Sequence, residues 1–106
     1  MTTEDMITRL IELSYPAYKK NSRGCLEARK LDRKEPVEIN GYTFSCWYEY
    51  VCYKVCEYIK SKIPEADLEL VLDGNDSTIN VGLSDDEHRT LNMKMYALIK
   101  EWESSL

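Results

Sequence analysis

Apolar residues recur along this chain at two different periods, and the switches between them divide it into elements. Met6, Ile7, Leu10, Ile11 and Leu13 share one face at helical spacing, which predicts a first helix from about Glu4 to Ser14. Thr2 or Thr3 is placed to cap it, and Glu4 and Asp5 suit the positive end of its dipole. Pro16 is expected to end it, because proline lacks the N–H that a helix interior uses. Residues 19–35 show no clear period. There NSRG reads as a turn, CLEARKL as a short helix with Leu26 and Leu31 inward, and Pro36 as the stop.

The segment VEINGYTF carries the sharpest local signal. Asn40-Gly41 supplies the two positive-φ residues of a type I′ turn. A two-residue loop then pairs Ile39 with Tyr42 and Val37 with Phe44, all four on one face. Helical spacing returns from about Cys46 to Ile63. One arc of this helix holds Trp47, Val51, Val55, Tyr58, Tyr48, Ile59, Cys52, Ile63 and Cys56. The other holds Glu49, Lys60, Tyr53, Glu57, Tyr50, Ser61 and Lys54, and is read as the wet side. A second hairpin follows, with Leu68, Leu70 and Leu72 alternating before the turn DGNDS and Ile79, Val81 and Leu83 after it. The last helix opens with a capping box from Ser84 to Glu87 and turns Leu91, Met95, Leu98, Ile99 and Trp102 inward.

The pattern is that of an α+β chain: a helix, then two hairpin–helix units. The simplest packing of such units is one four-stranded antiparallel sheet covered by helices. The 106 residues are read as one domain, 1–106, with 19–35 as an irregular or short-helical basic connection.

Charge changes the picture more than composition does. The net charge of −5 disfavours nucleic acid and anionic membranes as general partners. It hides a division, however. Residues 19–34 carry Lys19, Lys20, Arg23, Arg29, Lys30, Arg33 and Lys34 against only Glu27 and Asp32, a local charge of +5. Residues 65–87 carry Glu65, Asp67, Glu69, Asp73, Asp76, Asp85, Asp86 and Glu87 with no Lys or Arg, a local charge of −8. No apolar run is long enough to span a bilayer, and MTTEDMITRL lacks the basic start of a signal peptide, so a cytoplasmic, reducing location is expected.

Candidate chemistry is sparse. Cys52 and Cys56 lie one helical turn apart, but within an apolar arc, where thiols act as small hydrophobes; Cys25 and Cys46 belong to no ligand pattern. The single histidine, His88, is tied to no serine or cysteine by a motif. Asp73, Asn75 and Asp76 superficially resemble the start of a calcium loop, but Thr78 and Ser84 stand where the EF-hand needs glycine and glutamate. Asp85, Asp86 and Glu87 are accounted for as favourable charges at a helix start. No glycine-rich phosphate loop is present. No catalytic residue, metal or cofactor is therefore assigned.

What remains favours binding over catalysis. Carboxylates 65–87 on a hairpin and a helix start can imitate a phosphate array and block a basic groove. Tyr50, Tyr53 and Tyr96, with Met93, fall outside the apolar arcs and are expected at an interface. Packing of these aromatics beneath the 15–35 segment is the competing account. The leading expectation is a non-enzymatic acidic inhibitor of immunity, antitoxin or phage anti-defence type. Its partner would be a protein with a basic surface. The alternative is a nucleic-acid-associated protein using 18–34, with Tyr18 stacking a base. A small enzyme without a motif comes third, and self-association of the +5 and −8 surfaces is compatible with each.

Overall fold

The computed structural model describes residues 1–106. Helix α1 spans Thr3–Lys20, and a short 3-10 turn at Ser22–Gly24 leads into α2, Leu26–Asp32. Strands β1 (Val37–Ile39) and β2 (Tyr42–Phe44) precede α3 (Trp47–Lys62). Strands β3 (Leu68–Val71) and β4 (Thr78–Val81) precede α4 (Asp85–Ser105). No helix is long and apolar enough to cross a membrane.

The start of α1 is a full capping box. The Thr2 hydroxyl accepts the Asp5 N–H at 3.2 Å, and the Asp5 carboxylate accepts the Thr2 N–H at 3.2 Å. Its end departs from expectation, because the helix runs through Pro16 to Lys20. Pro16 and Glu12, whose carbonyl loses its partner, are both exposed, so water can serve that carbonyl. Tertiary packing holds the turn beyond the proline. The Tyr18 ring meets Tyr50 edge-on at 6.1 Å and lies 6.2 Å from Trp102.

Both hairpins form, the first in the expected register, Val37 opposite Phe44 and Ile39 opposite Tyr42; in the second, for which the sequence set no pairing, Leu68 lies opposite Val81 and Leu70 opposite Ile79. Asn40 and Gly41 take φ of 50° and 83°, as the tight turn requires. The single four-stranded sheet does not form: β1–β2 and β3–β4 are separate two-stranded sheets. The reason lies in α3, which is apolar on two sides and needs cover on both. The first hairpin and α2 close over one side, where Ala28, Leu31, Val37, Phe44, Trp47, Tyr50 and Tyr53 form a small core. The second hairpin, α1 and α4 close over the other, around Val51, Cys52, Val55, Cys56, Ile59, Leu10 and Met95. Tyr15, Tyr18 and Leu70 touch both cores.

Helix α2 is short and apolar on one narrow face. Ala28 and Leu31 point inward, whereas Leu26, expected inside, is 58% exposed at the first helical position. Its C-terminus closes with the Glu35 N–H bonded to the Lys30 carbonyl at 2.9 Å and the Lys34 N–H to the Leu31 carbonyl at 3.0 Å. This is a Schellman motif, and its left-handed residue is Lys34 at φ 60° rather than glycine. The α4 cap is a variant of the expected box. Ser84 accepts the Glu87 N–H at 3.5 Å, and its own hydroxyl, not its N–H, donates to the Glu87 carboxylate at 2.8 Å.

Candidate functional site

The turn that leaves α3 builds an open cleft on the acidic side. The Ile63 N–H closes the helix on the Ile59 carbonyl at 2.7 Å, and the Ala66 N–H bonds the Ile63 carbonyl at 3.0 Å. Pro64 and Glu65 thereby turn back over the first turns of α4. The resulting open cleft, about 280 Å3, has a floor of Ile63, Ala66, Leu83 and Leu91. Its rim is Glu65, Asp86, Glu87, Thr90 and Lys94, with Lys94 ion-paired to Glu65. Three carboxylates against one ammonium leave the rim net negative.

All eight acids of the 65–87 window are exposed, and among them only Glu65 has an ion-pair partner. They do not form one patch. Glu65, Asp86 and Glu87 meet at the cleft, with Asp85 beside them at the start of α4. Asp67 and Glu69 lie along the β3 side, and Asp73 and Asp76 sit in the β3–β4 turn, beyond the other end of that strand. This turn is internally braced. The Asp73 N–H donates to the Ser77 hydroxyl at 2.8 Å, and that hydroxyl donates to the Gly74 carbonyl at 2.7 Å.

On α3, Glu49, expected on the wet side, is buried. The Glu49 carboxylate accepts the Ser45 N–H at 2.8 Å and the Ser45 hydroxyl. Burial alone raises the pKa of this carboxyl. Hydrogen bonds from Ser45, the Gly74 backbone and Cys46 outweigh burial and hold it below its ordinary value.

Two of the three aromatics expected at an interface lie in the small core instead: Tyr50 and Tyr53 are each only 4% exposed. Tyr50 packs edge-on against Phe44 and Trp47, both at 6.0 Å, with its hydroxyl 3.5 Å from the Cys25 sulfur. Burial pushes its pKa up. Tyr53 lies 5.0 Å from Phe44. A single-faced wheel misassigned both, because a second core covers the face it left to water. Packing beneath the 15–35 segment is the arrangement found for Tyr50. Tyr96 and Met93 do face solvent, at 54% and 78% exposure. Tyr96 borders a different groove, shared with Met1, Arg9, Ile99, Lys100 and Glu103.

The seven basic residues are also divided. Lys19 and Lys20 end α1, with the Lys19 ammonium 5.0 Å above the Tyr15 ring. Lys30 lies on α2, and Lys34 follows it. Arg23, Arg29 and Arg33 converge on one concavity with Ser22 and Asp32.

The remaining reactive groups are enclosed or unassociated. Cys52 and Cys56 are buried thiols; burial pushes Cys52 up to about 12 and raises Cys56 as well. The half-buried His88 places Nδ1 3.4 Å from the hydroxyl of Thr3, which has no solvent exposure. Sequence reasoning missed Lys94 and Thr90 on the cleft rim. Their helical phase beside Leu91 and Met95 marks them as bordering the inner face, but nothing local to them announces the Pro64–Glu65 turn that they meet. Comparison with known protein families, characterised proteins and solved structures returns no match.

Proposed function

We propose that this protein is a non-enzymatic binding module, a small acidic inhibitor of immunity, antitoxin or anti-defence type that occludes a basic surface of a partner protein. The cleft between the end of α3 and the start of α4 is its anchor point. The observation that carries this reading is the combination at that cleft: a floor of four apolar side chains beneath Glu65, Asp86 and Glu87. An arginine or lysine of the partner fits both parts, its methylene stem on the floor and its charged head at the rim. Seven of the eight window carboxylates have no ion-pair partner within the chain and are available to a cationic surface. They would speed encounter more than they deepen affinity.

The test is affinity capture of the partner followed by charge neutralisation. Glu65→Gln with Asp86→Asn and Glu87→Gln should weaken the captured complex by about tenfold or more, as loss of close charge pairs does. Asp73→Asn with Asp76→Asn should slow association and reduce its salt dependence. Equal affinity of the cleft variant and the unaltered protein would refute this assignment. Loss of binding on neutralising Lys19, Lys20 and Lys30 instead would favour the nucleic-acid alternative.

A further inference from the structure

The concavity at the opposite end of α3 has the reverse chemistry. Its volume is about 390 Å3, and its five lining residues, Ser22, Arg23, Arg29, Asp32 and Arg33, include no apolar side chain. Arg29 and Arg33 stand four residues apart, one above the other on the same helical face, an arrangement that repels within an isolated helix. Arg23 approaches from the 3-10 turn. Neither Arg23 nor Arg29 pairs with a carboxylate of the chain, and Arg33 reaches Glu35 only at 3.8 Å. The Ser22 hydroxyl makes no hydrogen bond within the chain and remains open to solvent.

We propose that this cup binds the phosphoryl end of a small molecule, a phosphate monoester or diphosphate. Three arginines lining one open, shallow concavity can bring planar, forked donors to phosphoryl oxygens. The Ser22 hydroxyl adds a neutral donor. The backbone that carries the arginines is fixed at two points. The Asp32 carboxylate, the one acid in the cup, accepts the Trp47 indole N–H at 2.6 Å and so fixes α2 to the first turn of α3. The Cys25 N–H bonds the Ser22 carbonyl at 3.1 Å and fixes the 3-10 turn. No aromatic ring lines the cup, so nothing in it stacks a base. The cup stands apart from the acidic cleft. It adjoins Trp47 and the cleft adjoins Ile63, the two ends of a helix about 24 Å long by its rise per residue.

The test is titration of the full chain with inorganic pyrophosphate, followed by amide and arginine side-chain NMR signals. The expected result is a saturable one-to-one response centred on Ser22–Arg33. Arg29→Gln with Arg33→Gln should weaken it by about tenfold or more, since two charge-assisted contacts are lost. Unchanged far-UV circular dichroism would establish that the double variant is folded, and Arg23→Gln, outside α2, gives a second reading of the same site. Lys19→Gln with Lys20→Gln should leave the affinity unaltered. The proposal is overturned if the response fails to saturate or if the arginine variants bind as tightly as the original. It is equally overturned if a mixed-sequence single-stranded oligonucleotide displaces pyrophosphate and the lysine pair weakens both ligands as much as the arginine pair does. None of these outcomes bears on the acidic cleft, which retains all its charges in every variant.

Discussion

The Asn40 side-chain amide donates to the Tyr53 hydroxyl at 2.8 Å, joining the tip of the first hairpin to the middle of α3. Asn40 therefore meets two demands, a left-handed backbone and a tertiary hydrogen bond. Tyr53→Phe removes the acceptor and leaves the ring packed on Phe44. The expected loss is about 0.5–1.5 kcal/mol in urea unfolding, the usual net contribution of one such bond. No loss at all would mean that water serves Asn40 equally well.

Lys34 at φ 60° is the strained member of the α2 Schellman motif. A left-handed non-glycine residue costs about 1–2 kcal/mol, and glycine returns part of that gain through the greater freedom of the unfolded chain. Lys34→Gly is accordingly expected to raise the thermal midpoint slightly. A fall would show that the lysine charge near the helix C-terminus outweighs the backbone strain.

Glu49 sets an acid-side limit on stability. Its carboxyl is held below the ordinary value in the folded chain. The contribution is therefore complete above the unfolded-state pKa of a glutamate and is lost as pH falls through the depressed folded value. Glu49→Gln should be less stable than the original at neutral pH and should lose less further stability upon acidification below the ordinary carboxylate range. Denaturant midpoints measured down that range check both halves; parallel curves for the two proteins would contradict the assignment.

Thiol reactivity should divide the cysteines. Cys52 and Cys56 are buried, with pKa values raised by that burial, whereas Cys25 and Cys46 are partly exposed. Iodoacetamide labelling of the native protein at mildly alkaline pH should modify Cys25 and Cys46 first, with the other two reacting at the rate of global or local opening. Peptide mass spectrometry reads the order directly.

The features legible from sequence are those set by neighbours along the chain. Asn40-Gly41 specifies its own turn and register, and the alternation of Leu68, Leu70, Ile79 and Val81 specifies a second hairpin, whatever lies on the other side. The Ser84–Glu87 pair marks the start of α4 in the same local way. The misreadings concern what comes from elsewhere in the chain to cover a residue. Glu49, Tyr50 and Tyr53 look solvated on a wheel until α2 and the first hairpin fold over them. Pro16 looks like a stop until Tyr18 is seen wedged between Tyr50 and Trp102. The same limit applies to the candidate site. The acids were readable as a charge run, but only the Pro64–Glu65 turn separates those that share a cleft from Asp73 and Asp76, which do not.

Helix α3 contributes side chains to both cores, and each core has its own tryptophan against it. Trp47 is enclosed in the small core with its indole N–H bonded to Asp32, and Trp102 flanks the large core with its buried indole N–H unpartnered. The molecule thus carries two native fluorophores at different heights along a single rod, Trp47 in its first turn and Trp102 against Tyr58 further on, one with its dipole tethered and one without. Replacing either by phenylalanine leaves a one-colour probe of its own half. A common melting curve for the two would identify the rod as the element that makes both halves give way together.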